Sequence, residues 1–311
     1  MEQLAVVESI TMIAIMIVIG SVLSRWTPLT DDTQRMFISL IFNVAMPCII
    51  LSSIFHVEMT NTLFRNMLIV FVLSIAINVL GIALGWLGSS FFFEDRLRRA
   101  EMGIVSGLGN TAFIGIPLCA ILLGPEGALY AAIFDAGVDF TIWTVAVMLL
   151  QRERQNWYES LKAMINPPMI AIVFGLSLSF MQLHPPGMFV GLFEQLAALA
   201  PPLAMIYIGF LLRNLKIANV KKVRSTLWMP LSIKLIVLPL IVAVTLSFFA
   251  LDRTMLQSII IQAMMPTLTL SSVLFAKYSA DAESGALITV ASIMLGMLTV
   301  PVMILLVGWI A

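Results

Sequence analysis

Gly107-Leu108-Gly109-Asn110-Thr111-Ala112-Phe113-Ile114-Gly115-Ile116-Pro117 lies in the middle of a long apolar run, and its reading decides the fold. Three glycines remove side chains and weaken a helix. Pro117 lacks a backbone donor and clashes with the preceding turn, while Asn110 and Thr111 set polar groups beside the freed backbone. The stretch reads as a broken membrane helix. In lipid such a break is tolerated only where protein buries it or where it lines a cavity. A second stretch, Gln262-Ala263-Met264-Met265-Pro266-Thr267-Leu268-Thr269, has the same character in the other half of the chain. Interrupted helices in matching places of two halves point to a transporter's substrate site.

The composition around these stretches excludes a soluble globule. Hydrophobic residues make up 60% of the chain and charged residues 11%, with a mean hydropathy of +1.04, whereas the apolar share of soluble domains normally stays below half. The apolar runs are about 20 residues long, the length an α-helix needs to cross roughly 30 Å of hydrocarbon. They lack the alternation of an outer-membrane barrel. The fold class is therefore all-α integral membrane. Ten transmembrane helices are expected, near residues 4–23, 34–55, 63–88, 100–123, 127–150, 167–183, 190–212, 225–249, 254–276 and 285–310, the fourth and ninth being broken. No basic residue precedes the first span, which reads as a retained helix rather than a secretory signal. Cys48 and Cys119 fall inside apolar spans and read as small core residues.

Charge placement sets the expected orientation. Arg25, Arg35, Arg96, Arg98, Arg99, Arg152, Arg154, Lys162, Arg213, Lys216, Lys221, Lys222, Arg224 and Lys277 all fall in odd-numbered connections. Arg65 and Arg253 are in even-numbered ones, and Lys234 is inside a span. Basic residues concentrate in cytoplasmic loops, so both termini are expected on the non-cytoplasmic side. The first half covers 1–150 and the second 167–311, joined by a basic cytoplasmic linker at 151–166. Five helices in each half oblige the second to enter with opposite polarity, so any duplication is an inverted repeat. Pro47 in the second helix answers Pro202 in the seventh, and Pro117 answers Pro266. No loop is long enough to hold a soluble domain.

Where a helix restarts, its N-terminal end carries free donors and a partial positive charge, which favours an anion. If the two breaks cross, Asn110 and Thr111 face Gln262, Thr267 and Thr269 across one small site. The plain alternative is a pair of proline kinks, which leaves the Gly-Asn-Thr cluster without a reason. Four ionisable residues lie within spans, Glu8, Asp135, Asp139 and Lys234, each costing about 2.5–3.5 kcal/mol to insert at the bilayer centre. Asp135 and Asp139 share a face of the fifth helix and repel one another when both are ionised. One of them carrying a proton would suit proton coupling; keeping a cavity wet is the alternative. Lys234 is either a counter-ion for a carboxylate or a snorkelling residue, and Glu8 is interfacial. Asn43 and Pro47, Asn78, Trp143 and Thr144 are weaker candidates, since Asn and Thr commonly serve as contacts between membrane helices. The basic residues from Arg213 to Arg224 suit anionic lipid head groups.

Walker, zinc and dinucleotide patterns are absent, so no ATP-driven pump, metal, cofactor or nucleic-acid partner is expected. An intramembrane aspartyl protease, a remote alternative, needs aspartates on facing helices. Asp135 and Asp139 share one helix, and Asn110 rather than Asp follows Gly107-Leu108-Gly109.

Asn110-Thr111 followed by Gly115-Ile116-Pro117-Leu118 resembles the fourth-helix motif of the auxin efflux carrier family, which includes plant auxin exporters and bacterial permeases for malate and similar acids. Gln262-Ala263, Pro266 and Phe275-Ala276-Lys277 resemble its ninth helix, and Pro301 a proline late in its tenth. The plant proteins' long central loop is missing, as in the compact bacterial branch of the inner membrane. The resemblance implies a scaffold of helices 1, 2, 6 and 7 (about 4–55 and 167–212). It also implies a mobile transport domain of helices 3–5 and 8–10 (about 63–150 and 225–310), an elevator motion, and a homodimer formed through the scaffold. It places Asn110, Pro117 and Pro266 at the binding crossover. Asp139 stands where the plant proteins have an uncharged polar residue and Thr144 where they have tyrosine, so a small carboxylate is expected rather than auxin itself. A sodium symporter of the bile-acid type is the alternative within transport, although no acidic residue adjoins either break in sequence.

Overall fold

The computed structural model describes residues 2–27, 30–151, 165–183, 185–213, 224–278 and 280–307. Most of the linker expected at 151–166, the core of the basic segment between Arg213 and Arg224, and the side chain of Glu8 lie outside the described residues. All regular elements among the described residues are helical. They are α1 (Glu2–Leu23), α2 (Asp31–Leu40), α3 (Met46–His56), α4 (Asn61–Ser89), α5 (Arg96–Gly107), α6 (Ile116–Thr141), α7 (Val147–Leu150), α8 (Pro167–Phe180), α9 (Gly187–Ala197), α10 (Ala200–Arg213), α11 (Arg224–Ser232), α12 (Leu238–Ser247), α13 (Arg253–Ala263), α14 (Ser271–Lys277) and α15 (Ala282–Val307).

Among the described residues, six continuous runs are long and apolar enough to cross a membrane: Asp32–His56, Asn61–Ser89, Thr111–Leu150, Gly187–Phe210, Trp228–Ser247 and Ala282–Ile304. Ala14–Leu23 and Pro167–Phe180 are shorter apolar helices. The 40-residue run Thr111–Leu150 divides at Gly124, whose φ of 70° is the left-handed region that glycine alone enters without cost, and Pro125 follows it. Large apolar side chains such as Leu68, Val72, Leu298 and Val302 are exposed, as lipid-facing residues must be.

Among the described residues, four π-helical turns interrupt these runs, at Ile41–Ala45, Thr111–Gly115, Ile142–Ala146 and Ile233–Val237. Three of them share a cause legible in the sequence. Pro47, Pro117 and Pro239 each follow two residues after a π turn, and the carbonyl that a proline ring crowds, four residues back, belongs to Asn43, Phe113 and Leu235. Each of those residues is the middle one of its π turn, so the widened turn is where the helix accommodates the ring. The fourth turn has no proline. Inside it the Thr144 hydroxyl donates to the Phe140 carbonyl at 2.6 Å, a back-bond that distorts helices.

The chain forms two compact units. The first comprises Met1–Leu68, Ala112–Ile133 and Ile165–Leu215. In it α1 lies against α10 at a close crossing, where a Cβ on Gly20 would overlap the Ile206 carbonyl and one on Gly209 would lie 2.6 Å from the Ser21 nitrogen. Small residues at such crossings let helix backbones approach, which is the main source of packing between helices in lipid. Helix α3 packs on α8 and α9, with His56 Nε2 3.0 Å from Glu194 Oε1. Phe42 stacks on Phe113 with ring centres 5.6 Å apart.

The second unit comprises Ile69–Thr111, Phe134–Met164 and Lys216–Ala311. Gly81 and Gly85 of α4 meet Gly103 and Gly107 of α5, and a Cβ on Gly81 would lie 2.7 Å from the Gly107 Cα. Ser74 of α4 donates to the Phe134 carbonyl at 2.6 Å and accepts from the Asn78 amide at 3.2 Å. At one end of this unit Arg98 Nη1 lies 2.9 Å from buried Glu101 and 2.7 Å from Asp281, and Glu101 also accepts the Asp281 N–H at 2.8 Å. This network ties the first turn of α5 to the turn before α15.

Candidate functional site

Helix α5 ends at Gly107 and helical structure resumes at Thr111; α13 ends at Ala263 and α14 begins at Ser271. Both gaps lie in the second unit. They are joined by backbone hydrogen bonds: Gly109 and Thr267 form an antiparallel bridge, the Asn110 N–H donates to the Pro266 carbonyl at 2.6 Å, and the Leu268 N–H donates to the Leu108 carbonyl at 3.1 Å. Each gap thus supplies what the other's helix has lost, satisfying buried backbone groups that water cannot reach.

Side chains complete the pairing. The Thr267 hydroxyl donates to the Val105 carbonyl at 2.9 Å, while its N–H donates to Ser292 Oγ at 2.9 Å. Thr289 donates to the Leu268 carbonyl at 3.0 Å. Lys234, only 2% exposed, extends its ammonium between the C-terminal ends of α5 and α13, donating to the Gly107 and Ala263 carbonyls at 3.3 Å each. Helix C-termini carry partial negative charge and orphan carbonyls, so one cation serves both ends. Lys234 therefore acts on backbone rather than on a carboxylate. Gly109 gives it room, because a Cβ there would lie 3.0 Å from Nζ. Gly107, expected to weaken the helix, in fact closes α5 onto α4: a Cβ on it would lie 2.5 Å from the Ile82 nitrogen.

Among the expected site residues, Asn110, Thr111, Gln262, Pro266 and Thr267 are brought together in the second unit, all buried. The Gln262 amide is fully buried, and neither Nε2 nor Oε1 has a hydrogen-bonding partner among the described residues. The Thr111 hydroxyl donates to Asp135 Oδ1 at 2.5 Å, linking the break to a carboxylate 24 residues further along the chain. Asp139 follows Asp135 one turn on and is half-buried. Thr144 is exposed, with its hydroxyl returned to its own helix. Asn43, Gly115 and Pro117 belong to the first unit, where the Asn43 amide donates to Ser39 Oγ at 3.0 Å.

The tenth helix expected near 285–310 is α15, but its small and hydroxyl residues were not among the expected site residues. Gly285, Thr289, Ser292 and Gly296 follow one another at spacings of four, three and four, a stripe of small residues on one helical face. That stripe faces the second break: a Cβ on Gly285 would lie 2.8 Å from the Phe275 ring and one on Gly296 2.7 Å from the Pro266 ring. The small-residue periodicity was the available signal.

A family model described as membrane transport protein matches residues 5–304. The chain belongs to this family, that of the auxin efflux carriers. A relative from Methanothermobacter thermautotrophicus, named an uncharacterized transporter, is 21% identical over 277 residues, covering 89% of this chain and 90% of its own length. This member of the auxin efflux carrier family is thus a multi-pass membrane transporter, and the paired breaks are the polar interior of its second unit.

Proposed function

We propose that this carrier is a secondary transporter of a small organic anion of the carboxylate class, bound at the paired breaks. The observation that carries the reading is the direct pairing of the two interrupted segments, Asn110 N–H to Pro266 carbonyl and Gly109 with Thr267. It gathers Asn110, Thr111, Gln262 and Thr267 in one buried polar setting. Lys234 engages the helix ends that would repel an anion. The Gln262 amide has both a donor and an acceptor to offer a ligand.

The finer architecture is part of the same proposal. Ten spans form a five-plus-five inverted repeat, with a scaffold of helices 1, 2, 6 and 7 and a transport domain that moves the anion by an elevator motion. The carrier is a homodimer through its scaffold in a bacterial cytoplasmic membrane, with both termini outside and lipid around it. Sodium coupling at the breaks would call on backbone carbonyls, and those of Gly107 and Ala263 already accept from Lys234.

Counterflow of malate, malonate and indole-3-acetate in proteoliposomes tests this reading. Saturable exchange of at least one acid is expected, and Asn110→Ala should lower it more than about tenfold while the unfolding midpoint in detergent stays unchanged. Full activity in Asn110→Ala would move the site away from the breaks.

A further inference from the structure

We propose that Asp139 and Asp135 form a proton relay ending at Asp135, beside Thr111, which makes the carrier an anion–proton symporter. The inference rests on the anion reading above and adds the coupling ion. Its geometric basis is a single face of one helix. Asp135, Asp139 and Trp143 follow at intervals of four residues, and the two aspartates lie about 5–6 Å apart as neighbours on a helical surface. Exposure rises along this face. Asp135 is 8% exposed, Asp139 and Trp143 are half-buried, and beyond them lies Lys277, an exposed cation 5.7 Å from the centre of the Trp143 ring. At the inner end, the Thr111 hydroxyl donates to Asp135, and Thr111 adjoins Asn110 at the break.

Groups from neighbouring segments meet this face. Thr111 comes from the break. From α4, Ser74 contacts the backbone at Phe134 and would touch a Cβ on Gly137. Lys277 and Tyr278 stand at the outer end. Among the described residues, Asp139 supplies the charge that acts on Asp135. Among the described residues no lysine or arginine forms an ion pair with Asp135, unlike Asp281 with its arginine.

The relay is a transfer of one proton. A hydronium ion from the aqueous side gives its proton to the Asp139 carboxylate and leaves as water, and Asp139 passes the proton to the Asp135 carboxylate, one O–H bond breaking for each that forms. An ionised Asp135 repels an anion arriving at Asn110 and Thr111, and a protonated one does not. A neutral Asp135 also no longer requires the Thr111 hydroxyl as a donor, which frees that hydroxyl for the substrate. By linkage, anion binding favours proton uptake to the same degree that protonation favours the anion. Asp135 acts through Thr111 and through charge, so it is a positioning and coupling group rather than part of the substrate's hydrogen-bonding shell.

The test uses the full-length carrier in proteoliposomes with a pH indicator outside and malate, malonate or indole-3-acetate as the transported acid. In the wild type, acid entry should alkalinise the medium, and an inward proton gradient should raise initial uptake about tenfold. Asp135→Asn should retain counterflow while losing both responses, and Asp139→Asn should lose most of the gradient response. Thr111→Ser should keep coupling that Thr111→Val loses, so a hydroxyl requirement is readable even if one aspartate variant folds poorly. Wild-type counterflow with no alkalinisation and no gradient response would overturn the relay and leave the anion reading standing. Full gradient response in both aspartate variants would also overturn it. Absence of counterflow for every acid would overturn both readings.

Discussion

The π turn before Pro239 and the gap around Pro266 lie in the same unit, each is associated with a proline within an apolar run, and they end differently. At Ile233–Val237 the chain stays helical: the turn widens, and the Leu238 N–H still finds the Ile233 carbonyl in its own helix. Around Pro266 the helix stops at Ala263, and its orphan groups are taken up by Leu108, Asn110, Ser292, Thr289 and Lys234. The lesson is that proline bends a membrane helix, whereas opening one requires foreign partners for the backbone it frees. Those partners are also what gives the open segment a fixed shape.

The largest effect on this contrast should come from Lys234→Ala. It leaves the Gly107 and Ala263 carbonyls buried without their donor and opens a cavity, a loss of about 2–5 kcal/mol read as a lower unfolding midpoint in detergent. Unchanged stability and transport would mean that the mutual hydrogen bonds of the two breaks suffice. A smaller effect separates the two prolines. Gly296→Ala drives a methyl against the rigid Pro266 ring and should cost about 1–3 kcal/mol with lost transport. Pro239→Ala, which lets a π turn relax, should change stability by less than about 1 kcal/mol. Equal costs would erase the distinction between bend and opening.

The smallest effect lies at the Arg98, Glu101 and Asp281 network. Burial alone would raise the Asp281 carboxyl, but hydrogen bonds from the Ser284 N–H and hydroxyl and from Arg98, with the charge of Arg98, hold it at about 2. Its contribution to stability is complete above the ordinary carboxylate range and is lost as the pH falls toward 2. Asp281→Asn should therefore flatten the acid side of the stability profile only slightly, since the pair is partly exposed. An unaltered acid limb would show that Glu101 alone holds the turn.

Much of the site was legible from local chemistry. Asn110, Thr111, Pro266 and Thr267 announce themselves because helix-breaking and polar residues are costly inside apolar runs. The prolines at 47, 117 and 239 likewise mark three of the π turns in sequence, although a proline alone does not tell a π turn from a plain kink. Lys234 was visible as a buried charge, but its partners are carbonyls 127 and 29 residues away, and backbone acceptors have no signature in a sequence. Gly107 illustrates the opposite error. Glycine reads the same whether it loosens a helix or lets a neighbour approach, and only the proximity of α4 tells which.

By itself the sequence determined an all-helical membrane protein, because apolar runs of about 20 residues without the alternation of a barrel can satisfy their backbone in lipid only as helices, and it marked the two places where helices open. The tertiary structure alone decided that the interruptions pair with one another, that Lys234 closes both helix ends, and that Thr111 meets Asp135. Each of these depends on groups far apart in the chain, and hydrogen bonding between distant backbone segments is set by packing rather than by residue identity.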